Sequence, residues 1–98
     1  MYSYELLDWI DVKKLNWRYL SSNPNAIQLL EKNQDKIDWW FLSANSNAIH
    51  LLEMNPEKIV WNRLSGNPSA VQILGKNRSK IDWHWLSENE NQVVSGLR

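Results

Sequence analysis

Apolar residues in this chain fall in short clusters that return at a fixed interval, with polar Asn, Ser and Asp standing between them. In NPNAIQLLEKN, Ala26, Ile27, Leu29 and Leu30 occupy positions i, i+1, i+3 and i+4, which is one face of a helix and not the alternation of a strand. Asn23 suits the N-cap of that helix and Pro24 its first position. Asn33 suits its end, where Asn accepts a left-handed backbone more readily than most side chains. IDWWFLSAN predicts a second, weaker helix, with Ile37, Trp39 and Leu42 on its apolar side and Asp38 as its cap. Segments below ~12 residues nucleate poorly in water, so helices this short need partners.

The partners are other copies of the same unit. Lines of 22 residues place LNWRYLSSNPNAIQLLEKNQDK over IDWWFLSANSNAIHLLEMNPEK, IVWNRLSGNPSAVQILGKNRSK and IDWHWLSENENQVVSGLR. The full repeats are 15–36, 37–58 and 59–80, with a partial unit at 1–14 and a partial repeat or cap at 81–98, all within one repeat domain, 1–98. The fixed columns are Trp17, Trp39, Trp61 and Trp83; Leu20, Leu42, Leu64 and Leu86; Ser21, Ser43, Ser65 and Ser87; and Asn23, Asn45, Asn67 and Asn89. Ala26, Ala48 and Ala70 form another, as do Asn33, Asn55 and Asn77. If neighbouring units stack in phase, the Leu column becomes a continuous spine and the Trp column a second one. The expected fold is all-α: a short α-solenoid of about four two-helix repeats of 22 residues. A leucine-rich-repeat horseshoe is the rival, since its period of about 20–29 residues includes this one. It needs a strand in each unit, and WxxLSxN lacks the L-x-L alternation that would build one.

Two readings apply to the amide columns. A carboxamide at every repeat can be a ligand-binding ladder, or it can satisfy backbone groups in buried turns and bond the same Asn one unit along, and the second reading is preferred. The Ser column is expected to do similar local work. Lys14, Lys36, Lys58 and Lys80 have a spacing that could follow phosphates, but Asp35, Asp38, Glu57 and Asp82 lie beside them, as on a solvated, charge-balanced edge.

Composition narrows the chemistry. Eleven basic and eleven acidic residues cancel, so the basic footprint of a nucleic-acid-binding domain is missing. The absence of cysteine removes disulfides, thiolate zinc sites and thiol nucleophiles. No apolar run approaches the ~18 residues of a membrane span, and Glu5 and Asp8 interrupt MYSYELLDWIDVKK, which does not read as a secretory signal. His50 and His84 form no two-histidine metal motif, Gly66, Gly75 and Gly96 form no phosphate loop, and the carboxylates sit in polar columns. No catalytic residue, metal ligand or cofactor is therefore assigned, and the chain is read as non-enzymatic.

Against this regular background, the positions that vary are the informative ones. One column runs Arg18, Trp40, Asn62, His84, and its neighbour runs Tyr19, Phe41, Arg63, Trp85. Both follow the Trp column directly, on the outer flank of the first helix, and their aromatic and Arg content is that of an interface hot spot. Trp40 is the favoured exposed anchor. The alternative is that Tyr19, Phe41 and Trp85 merely close the gaps between adjacent helices.

NPNAIQLLEKN, SNAIHLLEMNPEKIVWNRLS and NPSAVQILGKNRSKIDWHWLS resemble the short Asn-Pro and Trp-rich repeats encoded in many copies by giant DNA viruses of protists, including Marseillevirus-like and Mimivirus-like groups. The resemblance covers roughly residues 5–95 and implies a viral protein found in host cytoplasm or in the virion, with no assigned reaction. The chain departs from the pattern at Ser46 and Glu90, where Pro is expected, at Gln34, Gly75 and Arg78, and in QVVSGLR, which is expected to fray or form a polar cap. The expected partner is another protein, viral or host. A self-associating structural or virion component, joined through open repeat ends, is the alternative, with nucleic acid less favoured still and no membrane partner. One test follows from the stacked core: Trp61→Ala is predicted to lower unfolding free energy by ~3–5 kcal/mol in denaturant titrations.

Overall fold

The computed structural model describes residues 8–89, and every regular element within them is helical. The α-helices are α1 (Trp17–Ser22), α2 (Ile27–Glu31), α3 (Trp39–Leu42), α4 (Ile49–Glu53), α5 (Trp61–Ser65), α6 (Val71–Lys76) and α7 (Trp83–Ser87). Short 3-10 turns cover Val12–Lys14, Gln34–Lys36, Pro56–Lys58 and Arg78–Lys80. No strand occurs among the described residues, which excludes a leucine-rich-repeat horseshoe there. The cap expected over QVVSGLR lies outside the described residues, except that its unit includes α7.

Three of the four first helices, α1, α3 and α7, start where a short polar side chain accepts free N–H groups. Asn16 accepts from Tyr19 N–H at 3.0 Å, Asp38 from the N–H groups of Trp40 and Phe41 at 3.1 and 3.3 Å, and Asp82 from Trp85 N–H at 3.2 Å. The cap read at Asp38 is thus present, and Val60 leaves α5 without one.

The second helices differ from expectation at both ends. Asn23 does not cap α2: its backbone N–H closes α1 onto Leu20 O, its side chain accepts Asn25 N–H at 2.9 Å, and α2 begins at Ile27. The carboxamide reaches only two residues ahead, so Asn23-Pro24-Asn25 forms a turn between helices. At the other end, Asn33 has φ −137° and ψ 50°, and no residue among those described, glycine included, has positive φ. The exposed carbonyls are satisfied by side chains instead: Asn33, Asn55 and Asn77 each donate Nδ2–H to the carbonyl four residues back, at 2.9, 3.0 and 2.8 Å. Each then leads into a 3-10 turn that the hydrophobic pattern did not announce.

Equivalent helices of successive units lie against each other, α1 on α3 and α5 on α7. The buried core is a row of repeated positions: Leu42 and Leu64 from the first helices, and Leu30, Leu52 and Leu74 with Ala26, Ala48 and Ala70 from the second. Leu20 and Leu86, at the two ends of the row, are partly buried.

Polar groups run through this core. Asn45 Nδ2 donates to Ser21 O at 2.9 Å and Asn23 O at 3.1 Å, Asn67 to Ser43 O and Asn45 O at 3.0 Å each, and Asn89 to Ser65 O at 2.9 Å and Asn67 O at 2.8 Å. The Oδ1 atoms of Asn45 and Asn67 accept the N–H two residues on, from Asn47 and Ser69, so both ends of each amide are used. The Ser hydroxyls do more than local work. Ser21, Ser43 and Ser65 donate to the carbonyls of Trp17, Trp39 and Trp61 within their own helix. Each accepts a backbone N–H from the next unit, of Asp38, Val60 and Asp82, at 2.9 Å. The same bonds recur at sequence separations of 24, 22 and 17, which locks the register between units.

The Trp column packs on this core at Trp17, Trp39 and Trp61, all half-buried, with Trp17 Nε1 donating to Val12 O at 3.1 Å. The Lys column is exposed, as on a solvated edge, and Lys58 and Lys80 also place their ammonium groups 5.1 Å from the ring centres of Trp39 and Trp61. Trp83 departs from the expected spine: it is 66% exposed, with no later unit among the described residues to cover it.

Asn67→Ala removes two buried bonds and the turn bond from Ser69 N–H, and strands the Ser43 carbonyl while Asn45 O keeps the Ala48 N–H, so a loss of about 2–4 kcal/mol is expected in chemical denaturation. Asn25→Ala, at an exposed turn position, is the control and is expected to change stability by less than about 0.5 kcal/mol.

Candidate functional site

The two columns that vary sit on the first turn of each first helix: Arg18 and Tyr19 on α1, Trp40 and Phe41 on α3, Asn62 and Arg63 on α5, His84 and Trp85 on α7. The caps and Ser bonds that fix where each helix begins also fix the direction of these side chains. Six of the eight form one line of contacts. The Arg18 guanidinium lies 5.9 Å from the Phe41 ring centre, and Phe41 meets Trp40 edge-to-face at 4.8 Å. The Arg63 guanidinium stands 4.0 Å from the Trp40 centroid and 5.1 Å from that of Trp85, and Trp85 meets His84 edge-to-face at 5.8 Å. Tyr19 and Asn62 stay outside this line, with Tyr19 71% exposed.

Both readings of the strip find a place in it. Phe41 and Trp85 are half-buried and close gaps between first helices, whereas Tyr19 does not. Trp40 keeps 45% of its surface exposed even with Arg63 against it. The centre of the strip is thus a cation held between two indoles from the units before and after it.

The charges are distributed unevenly. Arg18 has the Asp38 carboxylate at 3.7 Å, and His84 has Glu88 at 3.7 Å. Arg63 has no such partner among the described residues, and its Nε is shielded from solvent without a hydrogen-bond acceptor. A cleft lined by Ala44, Arg63, Gly66, Trp85 and Glu88 opens beside it. Ala44, Gly66 and Glu88 went unnoticed in the sequence, although Ser22, Ala44, Gly66 and Glu88 form a column whose short members leave room next to the strip.

On another part of the surface, Ile59, Trp61 and Ile73 floor a cleft rimmed by Glu53, Lys76 and Lys80. The histidines are both exposed, and no group of three or more His, Asp or Glu side chains converges on a possible metal position among the described residues. No helix there is long and apolar enough to cross a membrane.

No family model, no curated protein and no solved structure matches this chain. The likeness to giant-virus repeats therefore stands on the motifs alone.

Arg63 ties three units together through its two indole contacts. Arg63→Ala is expected to cost about 1–2 kcal/mol and to raise acrylamide quenching of indole fluorescence, while Arg63→Lys, which keeps the charge but not the flat face, recovers part of each.

Proposed function

We propose that the chain is a non-enzymatic α-solenoid whose strip of aromatic and Arg side chains docks another protein. The solenoid reading is supported by bonds that recur one unit apart, from Asn45, Asn67 and Asn89 to the Asn of the unit before. The single observation that carries the docking reading is Arg63, set between half-exposed Trp40 and Trp85. Trp, Tyr and Arg that are pre-positioned in this way lose little freedom on binding, which is the character of interface hot spots. The resemblance to giant-virus repeats makes the partner a viral or host protein and the setting host cytoplasm or the virion.

Self-association is the second reading, favoured by one specific observation. Val71, 53% exposed, and Trp83, 66% exposed, flank a cleft lined also by Leu74, Ile81 and Leu86, an apolar surface at the last described unit. Nucleic acid ranks behind both, since the net charge is zero and Lys58 and Lys80 are engaged over indole rings.

Quantitative affinity capture from host-cell extract separates these readings when the intact chain is compared with the Trp40→Ala, Arg63→Ala double variant. A specific protein whose recovery falls about tenfold or more is the expected result, and an unchanged set of captured proteins contradicts the docking face. Sedimentation equilibrium of the purified chain checks self-association: growth in mass with concentration, reversed by Trp83→Ser, would transfer the assignment to the second reading.

A further inference from the structure

Resting on the docking-face reading above, we infer that the strip's partner presents a carboxylate, from an Asp or Glu side chain flanked by apolar residues, which is received on the edge of the Arg63 guanidinium.

At Arg63 the Trp40 and Trp85 ring centres lie 4.0 and 5.1 Å from the guanidinium carbon, so recognition of a partner falls to the N–H groups that neither ring covers. Nε is shielded from solvent and donates to nothing, so the end of the guanidinium, Nη1 and Nη2, is the part a partner can reach. A cation partly withdrawn from water and without a counter-charge is stabilised when an acceptor meets those accessible N–H groups. The fitting acceptor is a carboxylate, whose two oxygens match two parallel N–H groups and whose charge balances the cation.

The other Arg of the strip does not need such a group, because Asp38 lies 3.7 Å from Arg18. Glu88 lines the same cleft as Arg63 but is engaged with His84 and remains largely exposed. Gly66 lines this cleft with no side chain, and a Cβ there would lie 3.6 Å from the Trp85 ring.

A phosphate chain would also offer oxygens, but it would have to run past Asp38 and Glu88 on either side of one unpaired cation. A polypeptide brings a single carboxylate to Arg63 and lays its apolar neighbours on Trp40 and Trp85.

The test uses the full chain, with Arg63 Nε–H and the indole N–H signals of Trp40 and Trp85 followed by NMR. The probes are a terminally blocked pentapeptide with one central Glu between leucines, its Gln twin, and an oligo-dT. Saturable shifts from the Glu peptide are expected, weaker by about tenfold or more for the Gln twin and weakened by added salt. Arg63→Gln, which keeps a flat group between the indoles, is expected to abolish the difference between the two peptides. If circular dichroism shows that variant to be unfolded, Arg63→Lys takes its place, with reduced discrimination expected. Equal shifts from both peptides, shifts from oligo-dT alone, or no shift from any probe would overturn the inference. In the capture assay, loss of the partner with Trp40→Ala but not with Arg63→Gln leaves the docking face standing and removes the carboxylate.

Discussion

The constraint on which everything else depends is that helices of four to six residues cannot satisfy their own backbone. Nearly every N–H in the first turn and every carbonyl in the last lacks an intrahelical partner at that length, and burying them unpaired would exceed what the Leu column can offset. The repeat resolves this with two side chains. A Ser hydroxyl accepts the N–H that opens the next unit, and an Asn carboxamide donates to two carbonyls of the preceding one. Because both bonds cross between units, each unit completes its neighbour. Hydrophobic burial supplies most of the drive to stack, and the amide ladder selects the register.

That division of labour leaves the outer positions free. With Trp, Leu, Ser and Asn committed to the interior or its edge, the columns of Arg18, Trp40, Asn62 and His84 and of their neighbours take no part in the Ser and Asn side-chain bonds that set the register. The variation is not random in space. Arg63 holds two indoles from adjacent units, so the surface proposed to bind a partner also reinforces the joints between units. The Lys column does the same on the Trp column, placing a cation over Trp39 and Trp61 while remaining in water. Cation and ring contacts thus join neighbouring units on two different surfaces.

The period, the two helices in each unit and the cap at Asp38 were legible because they rest on local rules of spacing and side-chain reach, whereas the same role of Asn16 and Asp82 was not singled out. The role of Asn23 and its column was half legible. A carboxamide beside Pro resembles an N-cap locally, and its use across 22 residues follows only once a second unit lies against it. The left-handed end proposed for Asn33 failed for a related reason: the side chain met the carbonyl of Leu29, which removed the need for an unusual backbone. The 3-10 turns were missed because segments of three residues carry no periodicity. In the strip, residue types and approximate direction could be read from the columns. The stacking of Arg63 between Trp40 and Trp85 could not, since it depends on how far apart successive first helices lie.

The most direct check on the ladder is NMR detection of scalar couplings transmitted through hydrogen bonds from the side-chain nitrogen of Asn67. Couplings to the carbonyl carbons of both Ser43 and Asn45, with slow exchange of the carboxamide protons, are the expected result. Rapidly exchanging Asn67 amide protons, or couplings confined to its own turn, would contradict stacking in this register.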